Sequence, residues 1–282
     1  MPIIDLETFL KAGEDMSPEA QLECTKVAQC FHKFGILLIK DPRVDMKDND
    51  EYIDLMEEYF AQTGDKFYAG ETIPDIKPEH HYQVGATPEL IEMARDHKEK
   101  LAELQLAQED TPMSPLTPVL DAKWRFMWKI GERPDGAADD FPQVVPAQFP
   151  DWETRMNKWG DKLHEAIQTV SQMAALGMGI DRDAFSRRMQ GGAHLLAPTG
   201  SDLKKNDVGA VFAGFHYDIS FMTIHGKSRY PGLYVWTRDW KKRAVKIPAG
   251  CLLIQAGRSF EYITGGYVLA GFHEVIYTDA TK

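Results

Sequence analysis

The first half of the chain has apolar residues at the spacing of amphipathic helices. Ser17-Pro18-Glu19 is typical of a helix start, and the apolar positions after it predict a helix that ends at Gly35. The segment 35–40, with four consecutive apolar residues, is predicted to be a buried strand. A second helix is predicted to end at Gly64, and a third to extend over 87–108.

The middle of the chain combines a long loop with a long helix. Segment 110–150 is rich in proline and has no clear period, so it is either a connector or a surface excursion over a binding site. From Asp151, apolar residues recur every three or four positions as far as Met173. This stripe predicts an amphipathic helix packed on a core.

From about residue 192 the pattern changes to short strands separated by turns. The predicted strands are 195–196, 208–215, 219–224, 233–236, 244–247, 251–255, 260–263 and 267–277. Short strands at this close spacing favour an antiparallel sandwich or barrel.

Charge and composition restrict the possible partners. Lys and Arg total 32 against 43 Asp and Glu, a net charge of −11, which disfavours nucleic acid and anionic membranes as partners. No apolar run approaches the ~20 residues of a membrane span, and no secretory signal is visible. We therefore expect a soluble, cytoplasmic protein with its three cysteines reduced.

The strand region contains one arrangement that suits a metal ion. His216 and Asp218 are two residues apart on a predicted strand, so their side chains point to the same face. His273, in the last predicted strand, is the candidate third ligand. Two histidines and a carboxylate are typical of non-haem Fe(II) oxygenases. The spacing alone leaves three possibilities: an iron site, another metal, or no metal site.

A longer ordered set of motifs adds to this triad. The motifs are Pro2–Leu6, Cys30–Ile39, Phe215–Asp218 with Phe221–Ile224, Pro231–Val235, Val245–Gly257 and the strand that contains His273. Together they resemble the isopenicillin N synthase-like group of Fe(II)/2-oxoglutarate-dependent dioxygenases, and the resemblance covers nearly the whole chain.

The resemblance implies a fold, a metal and a reaction. The fold is mainly β with flanking α-helices around a double-stranded β-helix, the jelly-roll or cupin-like core. The implied iron ligands are His216, Asp218 and His273. The implied activity is oxidation of a small molecule by hydroxylation, desaturation or oxidative cyclisation, with 2-oxoglutarate and O2 converted to succinate and CO2.

The division of the chain follows the same resemblance. Residues 1–115 form an N-terminal helical and strand region, 116–190 a loop and a long helix that packs on the barrel, and 191–282 the Fe(II)-binding core. Among the explanations given below for the missing anchor, we favour a C-terminal truncation of this core.

The chain departs from the family where 2-oxoglutarate is anchored. The family places an Arg-x-Ser pair after the distal histidine, and none follows His273 here. Lys282 is a weak substitute, since lysine lacks the bidentate fork of arginine. A shortened chain, a different anchor, a 2-oxoglutarate-independent iron oxidase and a catalytically inactive binding module all stay open.

The sequence also offers candidates for the residues of the substrate pocket. Tyr217, Arg125, Arg258 and Phe260 are the candidates, and they would suit a small carboxylated molecule.

Overall fold

A computed structural model describes residues 1–134, 136 and 141–282 of the chain. The strands are β1 Ile3–Asp5, β2 Ile36–Lys40, β3 Gly85–Thr87, β4 Trp124–Lys129, β5 Leu195–Leu196, β6 Thr199–Gly200, β7 Val211–His216, β8 Met222–His225, β9 Leu233–Trp236, β10 Lys242–Ala244, β11 Leu252–Ala256 and β12 His273–Ile276. The α-helices are α1 Leu6–Ala12, α2 Pro18–Phe34, α3 Met46–Tyr68, α4 Lys98–Leu104, α5 Trp152–Gly177, α6 Ser186–Met189 and α7 Arg258–Ile263.

Two four-stranded sheets form the core of the fold. One has the order β1-β2-β11-β8, and the other has the order β10-β9-β12-β7. Leu38 and Leu253 of the first sheet pack with Val235 of the second in one apolar cluster. Because side chains alternate across a strand, these residues bury one face of each sheet against the other. The predicted double-stranded β-helix is confirmed.

A helical layer and a third sheet flank this core. Sheet β3-β4-β5, with β6 also paired to β4, lies beside it. Helix α5 packs along α2, and the larger hydrophobic cluster includes Trp152 and Trp159 of α5 with Phe31 of α2. The amphipathic helix predicted from Asp151 is thus confirmed.

The capping residues of α2 explain why its prediction succeeded. The Ser17 hydroxyl accepts a hydrogen bond from the backbone N–H of Ala20 at 3.2 Å. Gly35 ends the helix with φ of +68°, a left-handed conformation in which glycine is favoured. β2 then begins at Ile36, as the apolar run predicts.

Three other predictions are wrong. Helix α3 continues past Gly64 to Tyr68, because a single helical glycine costs only about 1 kcal/mol and the helix is anchored by packing. The predicted helix over 87–108 is mostly loop, since Thr87 is the last residue of β3 and the α-helix covers only Lys98–Leu104. Phe260–Ile263 is helical instead of extended, since short apolar runs do not distinguish the two states.

The predicted loop-rich segment contains a strand. β4, at Trp124–Lys129, pairs with β3 and with β5. Its neighbours lie far away in sequence, so only tertiary pairing defines it.

Two further expectations concern cysteines and the membrane. Cys24, Cys30 and Cys251 are all free and buried, as predicted. Within the described ranges, none of the helices is long and apolar enough to cross a membrane.

Candidate metal centre

The two sheet strands β7 and β12 bring the predicted ligands together. His216 is the last residue of β7 and stands directly opposite His273, the first residue of β12, in the antiparallel register. Their imidazole ring centroids are 4.2 Å apart. Asp218 follows two residues after His216, and one ligand atom from each of the three side chains lies within 4.8 Å of the others.

Backbone carbonyls orient both imidazoles. Nδ1 of His216 donates to the carbonyl of Gly214 at 2.6 Å, and Nδ1 of His273 donates to the carbonyl of Gly271 at 3.0 Å. Each Nε2 is therefore left unprotonated in the neutral ring, and these atoms lie 3.8 and 4.0 Å from Oδ1 of Asp218. An imidazole held by its other nitrogen in this way is the usual arrangement of a histidine metal ligand.

Asp218 is held by neighbours that the sequence analysis did not identify. The hydroxyl of Thr223 donates to Oδ2 of Asp218 at 2.6 Å, which leaves Oδ1 directed towards the histidines. The backbone N–H of Arg258 donates to the carbonyl of Asp218 at 2.8 Å. The Asp-to-Thr spacing of five residues is the only sequence signal for this contact.

A second chain of contacts supports β7 from outside the sheet. Oδ1 of Asp121 accepts a hydrogen bond from the N–H of Gly214 at 3.0 Å, and the carbonyl of the same Gly214 orients His216. The buried Lys123 ammonium bonds to Asp121 and lies 3.0 Å from Glu92. A buried ion pair thus fixes the backbone at the first histidine.

Glu274, the neighbour of His273, connects β12 to the loop at 113–114. It is completely buried, and its carboxylate accepts hydrogen bonds from the N–H groups of Met113 and Ser114 and from the Ser114 hydroxyl, at 2.8–3.0 Å. The Ser114 hydroxyl in turn accepts from the N–H of Phe215, next to His216. One carboxylate therefore ties together both histidine-bearing strands.

The electrostatics of the site keep the ligands ready for a cation. Burial, then the neighbouring His273, lower the pKa of His216, so its ring stays neutral. Burial opposes ionisation of Asp218, but His273 and the Thr223 hydroxyl outweigh it and lower the pKa of the carboxyl. A charged carboxylate beside two imidazole nitrogens is the donor set of a divalent metal site.

A polar pair, His225 on β8 and Gln255 on the neighbouring β11, lies next to this site. His225 is two residues from Thr223 and so occupies the same face of the strand. Its Nε2 lies 2.8 Å from the amide nitrogen of Gln255, which is only 1% exposed. Burial lowers the pKa of His225 to about 4, and the nearby Asp218 opposes that change. Among the described residues, Oε1 of Gln255 has no hydrogen-bond partner.

Two of the predicted pocket residues do lie beside the metal ligands. The guanidinium of Arg258 is 5.5 Å from the ring centroid of Tyr217 and 4.7 Å from that of Tyr262. Its Nη1 pairs with Glu261. The backbone bond from Arg258 to Asp218 places this cation–aromatic group at the edge of the metal centre.

The other predicted residues are placed differently. Phe260 is fully buried against Phe31 and Phe221, so it belongs to the hydrophobic core and does not line an open pocket. Arg125 forms an ion pair with Glu92 at 2.9 Å on β4.

Lys282 is not brought to the three ligands. Its ammonium is exposed and lies 3.4 Å from Asp279. Both residues follow the C-terminal end of β12, whereas His273 is the first residue of this strand.

The donors fit a non-haem iron ion. Two imidazole nitrogens and one carboxylate oxygen would occupy one face of the metal and leave the remaining positions free for other ligands. The side chains of His216 and Asp218 are each 26% exposed, which leaves one side of the group accessible.

Comparison with known proteins supports this fold. A 2OG-Fe(II) oxygenase family protein from Caulobacter crescentus aligns with 99% of this chain and 81% of its own, at a TM-score of 0.72 and 19% identity. A full-length Neurospora crassa protein in complex with alpha-KG and thymine aligns with 100% of this chain and 81% of its own, at a TM-score of 0.69 and 18% identity. JOX2 in complex with 2OG, Fe and JA aligns with 100% of this chain and 71% of its own, at a TM-score of 0.66 and 14% identity.

Sequence comparison alone finds no such relation. No protein-family model matches the chain, and neither does any curated protein. At 14–19% identity, the structural matches show the fold: this chain has the fold of 2OG-Fe(II) oxygenases.

Proposed function

We propose that this protein is an Fe(II)/2-oxoglutarate-dependent oxygenase that oxidises a small molecule. The observation that supports it most is the triad of His216, Asp218 and His273, formed across two paired strands with both Nε2 atoms free. A site with three placed ligands, each held by a further hydrogen bond, is costly to maintain in a protein without metal chemistry. The structural neighbours in complex with 2OG or alpha-KG have the same fold.

The chain's own residues have distinct tasks in this proposal. His216, Asp218 and His273 would hold Fe(II), and Thr223 would keep Oδ1 of the aspartate directed at it. Bound Fe(II) and 2-oxoglutarate together supply O2 activation, with release of succinate and CO2. The buried Glu274 and Asp121 would keep the strands, and therefore the ligand positions, fixed.

His225 and Gln255 are the residues we assign to the distal carboxylate of 2-oxoglutarate. They form a polar pair beside the triad on the neighbouring strands β8 and β11, and Oε1 of Gln255 has no hydrogen-bond partner among the described residues. Turning the amide over lets Oε1 accept from the imidazole and frees the amide N–H groups for an anion. Buried polar atoms without partners cost about 1–3 kcal/mol each, which a bound carboxylate would relieve.

Arg258 and Tyr217 are the residues we assign to the substrate. A guanidinium between two tyrosine rings offers a cation and a flat apolar surface, which suits a small carboxylated molecule. Hydroxylation, desaturation and oxidative cyclisation are the reactions that such a site supports. Cytoplasmic location and the absence of nucleic-acid partners remain predictions from composition.

A 2-oxoglutarate-independent iron oxidase is the second candidate. It is favoured by one observation: Lys282, the predicted anchor, pairs with Asp279 and not with the three ligands. It predicts substrate-dependent O2 consumption without succinate.

Anaerobic visible absorbance with Fe(II), before and after addition of 2-oxoglutarate, tests the proposal. We expect a charge-transfer band on addition of 2-oxoglutarate to the Fe(II) protein. His225→Leu should retain Fe(II) but need about tenfold more 2-oxoglutarate to develop the band. Iron binding without a band in the unsubstituted protein would favour the oxidase, and no iron binding would contradict the proposal.

A further inference from the structure

A second pair of histidines lies outside the sheets, at a cavity that the proposed activity does not use. His164 of α5 and His194, in the loop before β5, have ring centroids 4.5 Å apart with an angle of 44° between the rings. In the metal centre, the corresponding values for His216 and His273 are 4.2 Å and 49°. The two pairs therefore have a similar ring spacing and a similar angle between the ring planes.

The Nε2 atom of each ring in this pair already has a hydrogen-bond partner. Nε2 of His194 donates to the carbonyl of Met189 at 2.8 Å, and Nε2 of His164 lies 3.2 Å from the side-chain amide of Gln168. Among the described residues, neither Nδ1 has a hydrogen-bond partner. One nitrogen held and the other free is the arrangement of a histidine that binds a metal.

The surroundings allow both rings to be neutral and close. Burial lowers the pKa of His164, and His194 lowers it further; burial also lowers the pKa of His194. Gly131 lies against both rings, and a Cβ at this position would be 3.3 Å from His194 and 3.4 Å from His164. Its φ of +72° favours glycine, so the backbone approaches the imidazoles without a side chain in the way.

The cavity beside the pair is polar and large enough for an ion with its water. It has a volume of about 380 Å³ and is lined by Glu132, Gln168, Gln172 and Asp183 as well as the two histidines. Asp183 is already bonded to Gln172 and Ser186, which leaves Glu132 as the carboxylate available to approach the rings.

We propose that His164 and His194 bind a divalent transition-metal ion through their Nδ1 atoms, in the cavity between the end of β4, α5 and α6. Water completes the coordination, and Glu132, which lines the same cavity, places negative charge nearby. Imidazole ligands select Zn²⁺, Cu²⁺ or Ni²⁺ over Mg²⁺ and Ca²⁺. Gln168 turns its amide over and accepts a hydrogen bond from Nε2 of His164, which leaves Nδ1 of this ring unprotonated.

The test counts Zn²⁺ ions by isothermal titration calorimetry on the full chain without a histidine tag. The unsubstituted protein should bind two equivalents, one at each histidine pair. His164→Ala and His216→Ala should each bind one, and the double variant should bind none with comparable affinity. His80→Ala is the matched control, because its ring is stacked on Phe141 at 4.6 Å, and it should still bind two.

Each site can fail separately in this design. If His164→Ala keeps the full stoichiometry of the unsubstituted protein, the second site is overturned, whatever happens at His216. A different result is that His164→Ala binds one equivalent fewer than the unsubstituted protein, while His216→Ala binds as many as the unsubstituted protein. In that case the second site is supported and the proposed iron centre is contradicted.

A milder variant covers the case in which His164→Ala does not fold, as judged by circular dichroism. Gln168→Leu in the His216→Ala background should weaken Zn²⁺ binding at least about tenfold, as loss of a hydrogen bond to a ligand does. Unchanged affinity in this variant would also overturn the site.

Discussion

The two histidine pairs differ in what holds them and in what lies beside them. His216 and His273 are fixed by strand register and have Asp218 within 4.0 Å of each Nε2. His164 and His194 have nearly the same ring spacing, but they are fixed by a helix and a loop. In the described chain, only the first pair has a carboxylate within ligand distance.

This difference implies different chemistry at the two pairs. A carboxylate ligand adds negative charge and completes the two-histidine, one-carboxylate set of non-haem Fe(II), while two imidazoles with water suit an ion such as Zn²⁺. Ring geometry alone therefore does not define a site, because the third donor and the rigidity of its support decide which ion binds.

The largest expected effect is at the carboxylate that separates the two pairs. Asp218→Ala should weaken Fe(II) binding more than about 100-fold, beyond the 10–100-fold seen for outer-shell changes, and abolish oxygenase activity. Anaerobic Fe(II) titration measures this. Asp207→Ala, an exposed aspartate, is the control, and equal affinities in the two variants would refute the role of Asp218.

The next effect concerns Glu274, which supports the strands of His216 and His273. Glu274→Gln leaves a buried amide N–H₂ facing backbone N–H donors, so we expect a loss of about 2–4 kcal/mol in the free energy of unfolding. Urea denaturation measures it. The exposed Glu103→Gln should change stability by less than about 0.5 kcal/mol. A stable Glu274→Gln protein would show that the link from β12 to the 113–114 loop is dispensable.

A smaller effect should appear in the pH dependence of stability. The pKa of His225 is about 4 in the folded protein and about 6.5 in the unfolded chain, so the unfolded state binds the proton first as the pH falls. Stability should therefore decrease from about pH 6.5 to pH 4, with His225 contributing about 3 kcal/mol of this loss.

His225→Leu should flatten this acid limb, whatever it does to the stability at neutral pH. Urea unfolding of the metal-free protein at a series of pH values measures the slope, with His80→Ala as the control. An unchanged slope in His225→Leu would contradict the assigned titration.

The smallest effect is at the hydroxyl that orients the carboxylate. Thr223→Val keeps the shape but removes the 2.6 Å hydrogen bond to Asp218, so Fe(II) affinity should fall about tenfold with the fold intact. Thr199→Val, at an exposed strand position, is the matched change. If both valine variants bind Fe(II) alike, Thr223 does not position the ligand.

The sequence predicted the parts of the molecule in which the signal is local. Ser17 and Gly35 mark the ends of α2 through their own conformations, and the apolar stripe after Asp151 marks α5. The prediction of the ligand set came from His216, Asp218 and His273 together with the ordered motifs around them, because residue types and their order are read directly from the chain.

Only the tertiary structure decided the rest, because it depends on pairing between distant segments. β4 forms because it pairs with β3 and β5, and its own residues do not specify that pairing. Packing of α3 likewise extends this helix beyond Gly64. The same holds for function: Thr223 at Asp218, Gln255 at His225 and His164 beside His194 are contacts made by folding. The type of each residue is known from the sequence, but its contacts depend on which strands and helices pack together in the core.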